Sequence, residues 1–108
     1  MNELLKSYLV DVDYPEVSGI EHLQMLKTRS KLATLADSLS ASEQQALANA
    51  DHKLAMQADK FLVELSRFVD LAAERQRRQT NPDEWWWYLD ILVRAPAVPI
   101  RPNKLVAV

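Results

Sequence analysis

The chain has 108 residues, of which 48% are hydrophobic and 26% charged, values typical of one folded domain rather than of a disordered segment. Cysteine is absent and Gly19 is the only glycine, which excludes disulfides, metal–thiolate sites and thiol catalysis and argues against β-rich folds and Gly-rich phosphate loops. A formal net charge of −2 gives no overall attraction to nucleic acid or anionic membranes.

Helices joined by capped turns remain, and the spacing of apolar residues predicts an all-α fold of about four helices. The first is short and runs from Asn2 to Val10, ending before a loop that contains Pro15. The second is expected from about Gly19 to about Ser38. It begins where Ser18 and Glu21 form the sequence pattern of a capping box.

The third predicted helix is unusually long and continuous, from Ala41 to about Gln79, and the pair Ser40 and Glu43 repeats the capping pattern at its start. Its apolar side chains recur every seven residues, as in helical bundles and coiled coils. The seam that they form includes Leu54, Phe61, Leu65 and Phe68.

The length of this helix predicts an assembly. At a rise of 1.5 Å per residue it would extend roughly 55 to 60 Å, whereas a compact domain of this size has a radius of gyration of only ~13 Å. We therefore expect a homodimer, in which a second copy covers the seam. The alternative is a kink near residues 48–52 that folds the helix back within a monomeric bundle.

The fourth predicted helix begins with Asn81 as its N-cap and Pro82 in its first turn, and it ends near Val93. Three prolines at intervals of three follow it and favour an extended C-terminal tail. The sequence thus predicts one helical domain over residues 1–94 and a tail over residues 95–108.

The three consecutive tryptophans lie in this fourth helix. On a helical wheel at about 100° per residue, Trp85 and Trp86 face the core, whereas Trp87 lies on the opposite side near Ile91. Trp87 then needs another covering surface: the chain's own tail or first helix, a dimer mate, or a different protein. A membrane-interface role is disfavoured because acidic residues flank the aromatic run.

These features predict a small protein–protein interaction module, such as an adaptor, a regulatory subunit or an antitoxin-like subunit, that acts through its fourth helix and its tail. The candidate partner-binding residues are Trp87, Ile91, Arg94, Ile100 and Arg101.

The alternative function is nucleic-acid binding through the arginines at the end of the long helix, Arg75, Arg77 and Arg78. Compensation of the helix dipole already accounts for cations at that position. No helix-turn-helix pattern accompanies them.

Other chemistries find little support in the sequence. His22 and His52 are expected to be solvated surface residues rather than metal ligands, and no nucleophile is spaced with a base as in an enzyme. We therefore expect no catalysis, no metal and no cofactor. The start of the sequence lacks the pattern of a secretory signal and no stretch approaches the ~20 apolar residues of a membrane span, so we expect a cytoplasmic protein without membrane contact.

Overall fold

The computed structural model describes residues 1–94, and the predicted tail lies outside the described residues. Within residues 1–94 the chain is helical and has no strand, which confirms the all-α prediction. None of the helices in this range is both long and apolar enough to cross a membrane. The described residues form six α-helices, namely α1 (Glu3–Asp11), α2 (Gly19–Leu35), α3 (Ala41–Met56), α4 (Ala58–Leu65), α5 (Leu71–Arg78) and α6 (Leu89–Arg94).

Polar side chains fix where the first three helices begin. Asn2 caps α1 by accepting a hydrogen bond from the Leu5 backbone N–H at 3.1 Å, and Ser18 caps α2. At α3 the predicted capping box is complete, with Ser40 and Glu43 each accepting a backbone hydrogen bond from the other. Glu43 also accepts from the Asn2 N–H at 2.9 Å, which ties α1 to α3.

The prediction of one continuous helix over residues 41–79 is wrong. The first break is at Gln57, whose backbone leaves the helical region at φ −115° and ψ 24°. The second break spans residues 66–70, after which Asp70 starts a new helix by accepting a hydrogen bond from the Ala73 N–H at 3.1 Å. Neither break coincides with residues 48–52, where a kink was considered. The breaks divide this part of the chain into three shorter helices, each of which contributes buried residues to one core.

The breaks remove the reason for expecting a coiled-coil dimer. Leu54, Phe61 and Leu65 are fully buried within the described part of the chain itself, and Phe68 is 59% exposed because it lies in the second break. The structure extends 36 × 34 × 25 Å, so no helix outruns the domain. Formation of a homodimer stays a prediction, but the long continuous helix from which it was inferred is not formed.

Gly19 shows why α2 and α4 can cross closely. A Cβ atom at this position would overlap the carbonyl oxygen of Glu64. Only glycine therefore lets the first turn of α2 pack against the end of α4 without displacing the backbone. Besides α4, α2 contacts both α1 and residues 85–88.

Candidate protein-binding surface

Residues 85–88, which we call the tryptophan segment, form a 3₁₀ helix rather than the first turn of an α-helix. With three residues per turn, Trp85 and Tyr88 lie on the same side, and Trp86 and Trp87 turn away from them. Trp86 and Trp87 are both buried, with Trp87 only 1% exposed. The prediction that Trp87 lies on the side opposite Trp86 assumed α-helical geometry, and it is wrong because residues 85–88 form a 3₁₀ helix.

The two buried indoles share one hydrogen-bond acceptor on α2. The Ser30 hydroxyl accepts from Trp86 Nε1 at 3.0 Å and from Trp87 Nε1 at 2.8 Å, and it donates to Glu84 at 2.9 Å. The guanidinium of Arg78 lies over the Trp87 ring at 4.5 Å from the ring centroid. Trp87 is therefore covered by α2 and α5 of its own chain, and its indole is not available to a partner.

A second polar network lies beside Trp86. Arg29 forms a two-point ion pair with Asp51, with both N···O distances at 2.8 Å, and its guanidinium stacks at 4.1 Å from the Trp86 ring. Tyr8 donates to the same carboxylate at 2.6 Å. Burial, followed by the charge of Asp51, raises the pKa of Tyr8 far above its ordinary range, so its hydroxyl stays a donor. This network joins α1, α2 and α3.

The three arginines proposed for nucleic-acid contact do not form one patch. Arg75 donates to Asp90 at 2.6 and 3.2 Å and to the Trp87 carbonyl at 2.9 Å, so it is committed to holding α6. Arg77 and Arg78 both pair with Glu74. Burial raises the pKa of Asp90, but the hydrogen bonds and charge of Arg75 outweigh it and leave that pKa below its ordinary value.

Of the other predicted partner-binding residues, two are exposed on α6 and two lie outside the described residues. Ile91 is 44% exposed on α6, and Arg94 is exposed one turn further on, within reach of Asp90 at 3.5 Å. Ile100 and Arg101 lie outside the described residues. Ile91 and Arg94 thus form a small exposed face on α6.

A larger exposed apolar surface occurs where α1 meets α2, and the sequence reasoning missed it. Val10, Tyr14 and Val17 are exposed by 56%, 57% and 36%. They line a groove of about 130 Å³ together with Asp11, Glu21 and His22. We call these six residues the α1–α2 corner.

The loop of the α1–α2 corner is held in place by buried side chains and by an ion pair. Val12 and Pro15 are buried, and Lys53 of α3 pairs with Asp13 at 3.0 Å. His22 Nε2 lies 2.9 Å from the Pro15 carbonyl oxygen. The loop therefore presents Tyr14 on a fixed turn rather than on a free segment.

His22 is only 1% exposed and packs edge-on against Phe61, with ring centroids 4.6 Å apart. The expectation that it is a solvated surface residue is wrong, because the loop at Pro15 folds over it. His52 is exposed, as expected. Within residues 1–94, no group of three His, Asp or Glu side chains could hold a metal ion together.

The groove of the α1–α2 corner is acidic. Burial, and then the charge of Glu21, raise the pKa of Asp11 above its ordinary value, while His22 opposes the shift. Two carboxylates beside exposed apolar side chains favour a ligand with both apolar and cationic groups.

Comparisons with protein-family models, with curated protein sequences and with solved structures gave no match. Function must therefore be inferred from the surfaces of the chain itself.

Proposed function

We propose that this protein is a small helical protein–protein interaction module whose partner binds at the α1–α2 corner. The observation that carries the proposal is the exposure of Val10, Tyr14 and Val17 around one groove. Contiguous exposed apolar side chains are typical of interaction sites, and tyrosine is enriched among residues that dominate binding energy.

The charges at the corner indicate the chemistry of the partner. Asp11 and Glu21 line the groove, and Glu16 lies exposed in the same loop. Asp13 is already paired with Lys53. A partner surface that combines apolar side chains with lysine or arginine at its edge complements this arrangement.

The fourth helical region keeps a secondary role in the proposal. Ile91 and Arg94 of α6 are exposed and form a second contact surface, whereas the burial of Trp87 removes it from the set. The predicted contribution of Ile100 and Arg101 in the tail stays a prediction. Roles as an adaptor, a regulatory subunit or an antitoxin-like subunit all fit a module of this kind, as does the expected absence of catalysis.

Nucleic-acid binding through the arginine cluster is less well supported. Of its three residues, Arg75 has its side chain only 17% exposed and is engaged by Asp90. A phosphate contact at Arg75 would have to break this ion pair.

Site-specific photo-crosslinking tests the proposal. Benzoylphenylalanine replaces Tyr14 in one preparation, Ile91 in a second, and the exposed Gln45 of α3 in a control. Each protein is irradiated in a lysate of its native source, and adducts are identified by mass spectrometry. We expect a defined protein adduct at position 14, a weaker one at position 91 and none at position 45.

Two further variants decide whether the adduct reports a specific surface. Val10→Ser combined with Val17→Ser should abolish the adduct at position 14, whereas Lys60→Gln on α4 should leave it intact. An adduct with the mass of two chains identifies a second copy as the partner. Equal labelling at positions 14 and 45, or an adduct insensitive to the valine substitutions, contradicts the proposal.

A further inference from the structure

A second groove, of about 330 Å³, lies between α2 and the end of α5 and has no part in the proposed protein-binding surface. The residues that line it are uncharged polar or cationic, whereas two carboxylates line the groove of the α1–α2 corner. The lining residues are Gln24, Lys27, Ser30, Lys31, Thr34 and Arg78, and we call this the basic groove.

The geometry of α2 brings the lining residues together. Positions 24, 27, 31 and 34 are separated by three, four and three residues, so they share one helix face. Lys27 and Lys31 are one turn apart on it. Ser30 lies beside them, and its hydroxyl is bonded to Trp87 at 2.8 Å. The Trp87 ring in turn supports the guanidinium of Arg78 at 4.5 Å, which places a third cation at the groove.

Two of the three cations that line the basic groove have no ion-pair partner in the part of the chain that the structure describes. Lys27 and Lys31 have no ion-pair partner among residues 1–94, although most other cations in that range do. Like charges one helical turn apart repel each other and destabilise a helix. Arg78 has its Nε 3.5 Å from Glu74, but Arg77 also pairs with that carboxylate.

The acidic group that is bonded to Ser30 is also engaged. Glu84 accepts the hydrogen bonds of the Ser30 hydroxyl and of the Asn81 N–H. Neither Glu74 nor Glu84 lines the groove. Three cations thus face one concave surface, in a chain whose net charge is −2.

We propose that the basic groove binds a compact phosphate-bearing anion of the pyrophosphate class. Lysine and arginine are the side chains that bind phosphate most strongly in proteins, and a groove of this volume suits a small molecule. The Ser30 hydroxyl already has three partners, and Thr34 donates its proton to the Lys31 carbonyl, so Gln24 is the main uncharged donor. No aromatic ring lines the groove, so recognition depends on charge rather than on base stacking.

Titration of the purified protein with pyrophosphate at low ionic strength tests the proposal. Binding is followed by calorimetry and by tryptophan fluorescence, because a ligand at Arg78 changes the surroundings of Trp87. Lys27→Gln combined with Lys31→Gln should weaken binding by about tenfold or more, as expected for lost charge-assisted hydrogen bonds. The matched control, Lys6→Gln combined with Lys60→Gln, makes the same change in net charge elsewhere and should alter affinity less than about twofold.

Two other titrations, with duplex DNA and with poly-glutamate, distinguish the chemical class. Preferential binding of pyrophosphate through Lys27 and Lys31 supports the proposal. It is overturned if pyrophosphate does not bind, if both double variants weaken binding equally, or if only DNA or poly-glutamate binds through these lysines. None of these results depends on the crosslinking at Tyr14, so this proposal and the proposed function can fail separately.

Discussion

The tryptophan segment and the α1–α2 corner expose their aromatic side chains to opposite degrees. Trp87 is almost fully buried, and its indole N–H and ring face both have partners, Ser30 and Arg78. Tyr14 is 57% exposed on an anchored turn. An unusual run of aromatic residues therefore does not by itself mark a binding surface. Such a run is available to a partner only if no distant part of the chain covers the aromatic rings.

The largest expected effect is at Trp87. Trp87→Ala should lower the free energy of unfolding by about 3–5 kcal/mol, because it removes a fully buried indole and leaves a cavity beside Ser30. Urea unfolding measures the loss. Trp85→Ala is the matched control, since this ring is only half-buried, and it should cost clearly less. An unchanged stability in Trp87→Ala would mean that the indole is exposed in solution.

Breaking the network beside Trp86 should have the next largest effect. Arg29→Met leaves the Asp51 carboxylate without its ion-pair partner, and we expect a loss of about 3 kcal/mol. Lys53→Met breaks the exposed pair with Asp13 and should cost less than about 1 kcal/mol. Equal losses in the two variants, measured by urea unfolding, would show that burial does not strengthen the Arg29 pair.

Asp90 gives a pH-dependent test of how α6 is held. Asp90→Asn should lower the free energy of unfolding by about 2 kcal/mol at neutral pH, because Arg75 loses its charged acceptor. The pKa of Asp90 is lowered on folding, so its stabilisation is present above the ordinary aspartate pKa of ~3.9. The contribution is lost as the pH falls through the lowered pKa. The stability difference between wild type and variant should therefore close in acid, and a difference independent of pH would contradict this account.

The smallest stability effect is expected at the α1–α2 corner. Tyr14→Ser should change the free energy of unfolding by less than about 0.5 kcal/mol, because the ring is exposed, yet it should abolish partner capture. The comparison with Trp87→Ala then separates a residue that stabilises the fold from one that binds. A large stability loss in Tyr14→Ser would place its ring in the core instead.

Local sequence signals predicted the helical class and the starts of the first three helices. Caps such as Ser18 and the pair Ser40 and Glu43 act within one turn, so their pattern can be read without knowledge of the fold. Asp70 is a favoured N-cap residue and indicates the second break, but the regular apolar repeat on either side of it favours a continuous helix. The break at Gln57 has no such signal, because no side chain caps the start of α4.

The surfaces were predicted less well because burial depends on contacts between distant residues. Ser30 and Trp87 are 57 positions apart, and no local sequence pattern near either residue predicts their contact. Val10, Tyr14 and Val17 carry no sequence signal of their exposure, which becomes visible only where they surround one groove in the fold. Ion pairing also depends on contacts between separate elements. Arg75 of α5 is held away from solvent by Asp90, which belongs to α6.

The link between Ser30 and the tryptophan segment has a consequence for biosynthesis. During translation, Arg29 and Ser30 of α2 are synthesised before Trp86 and Trp87, so the indoles that contact them are not yet present. Helices can form early in such a chain, but the core closes only once that late segment has been released. Folding of this protein is therefore expected to be completed after most of the chain has been synthesised, and fragments that stop before residue 85 should remain loosely packed.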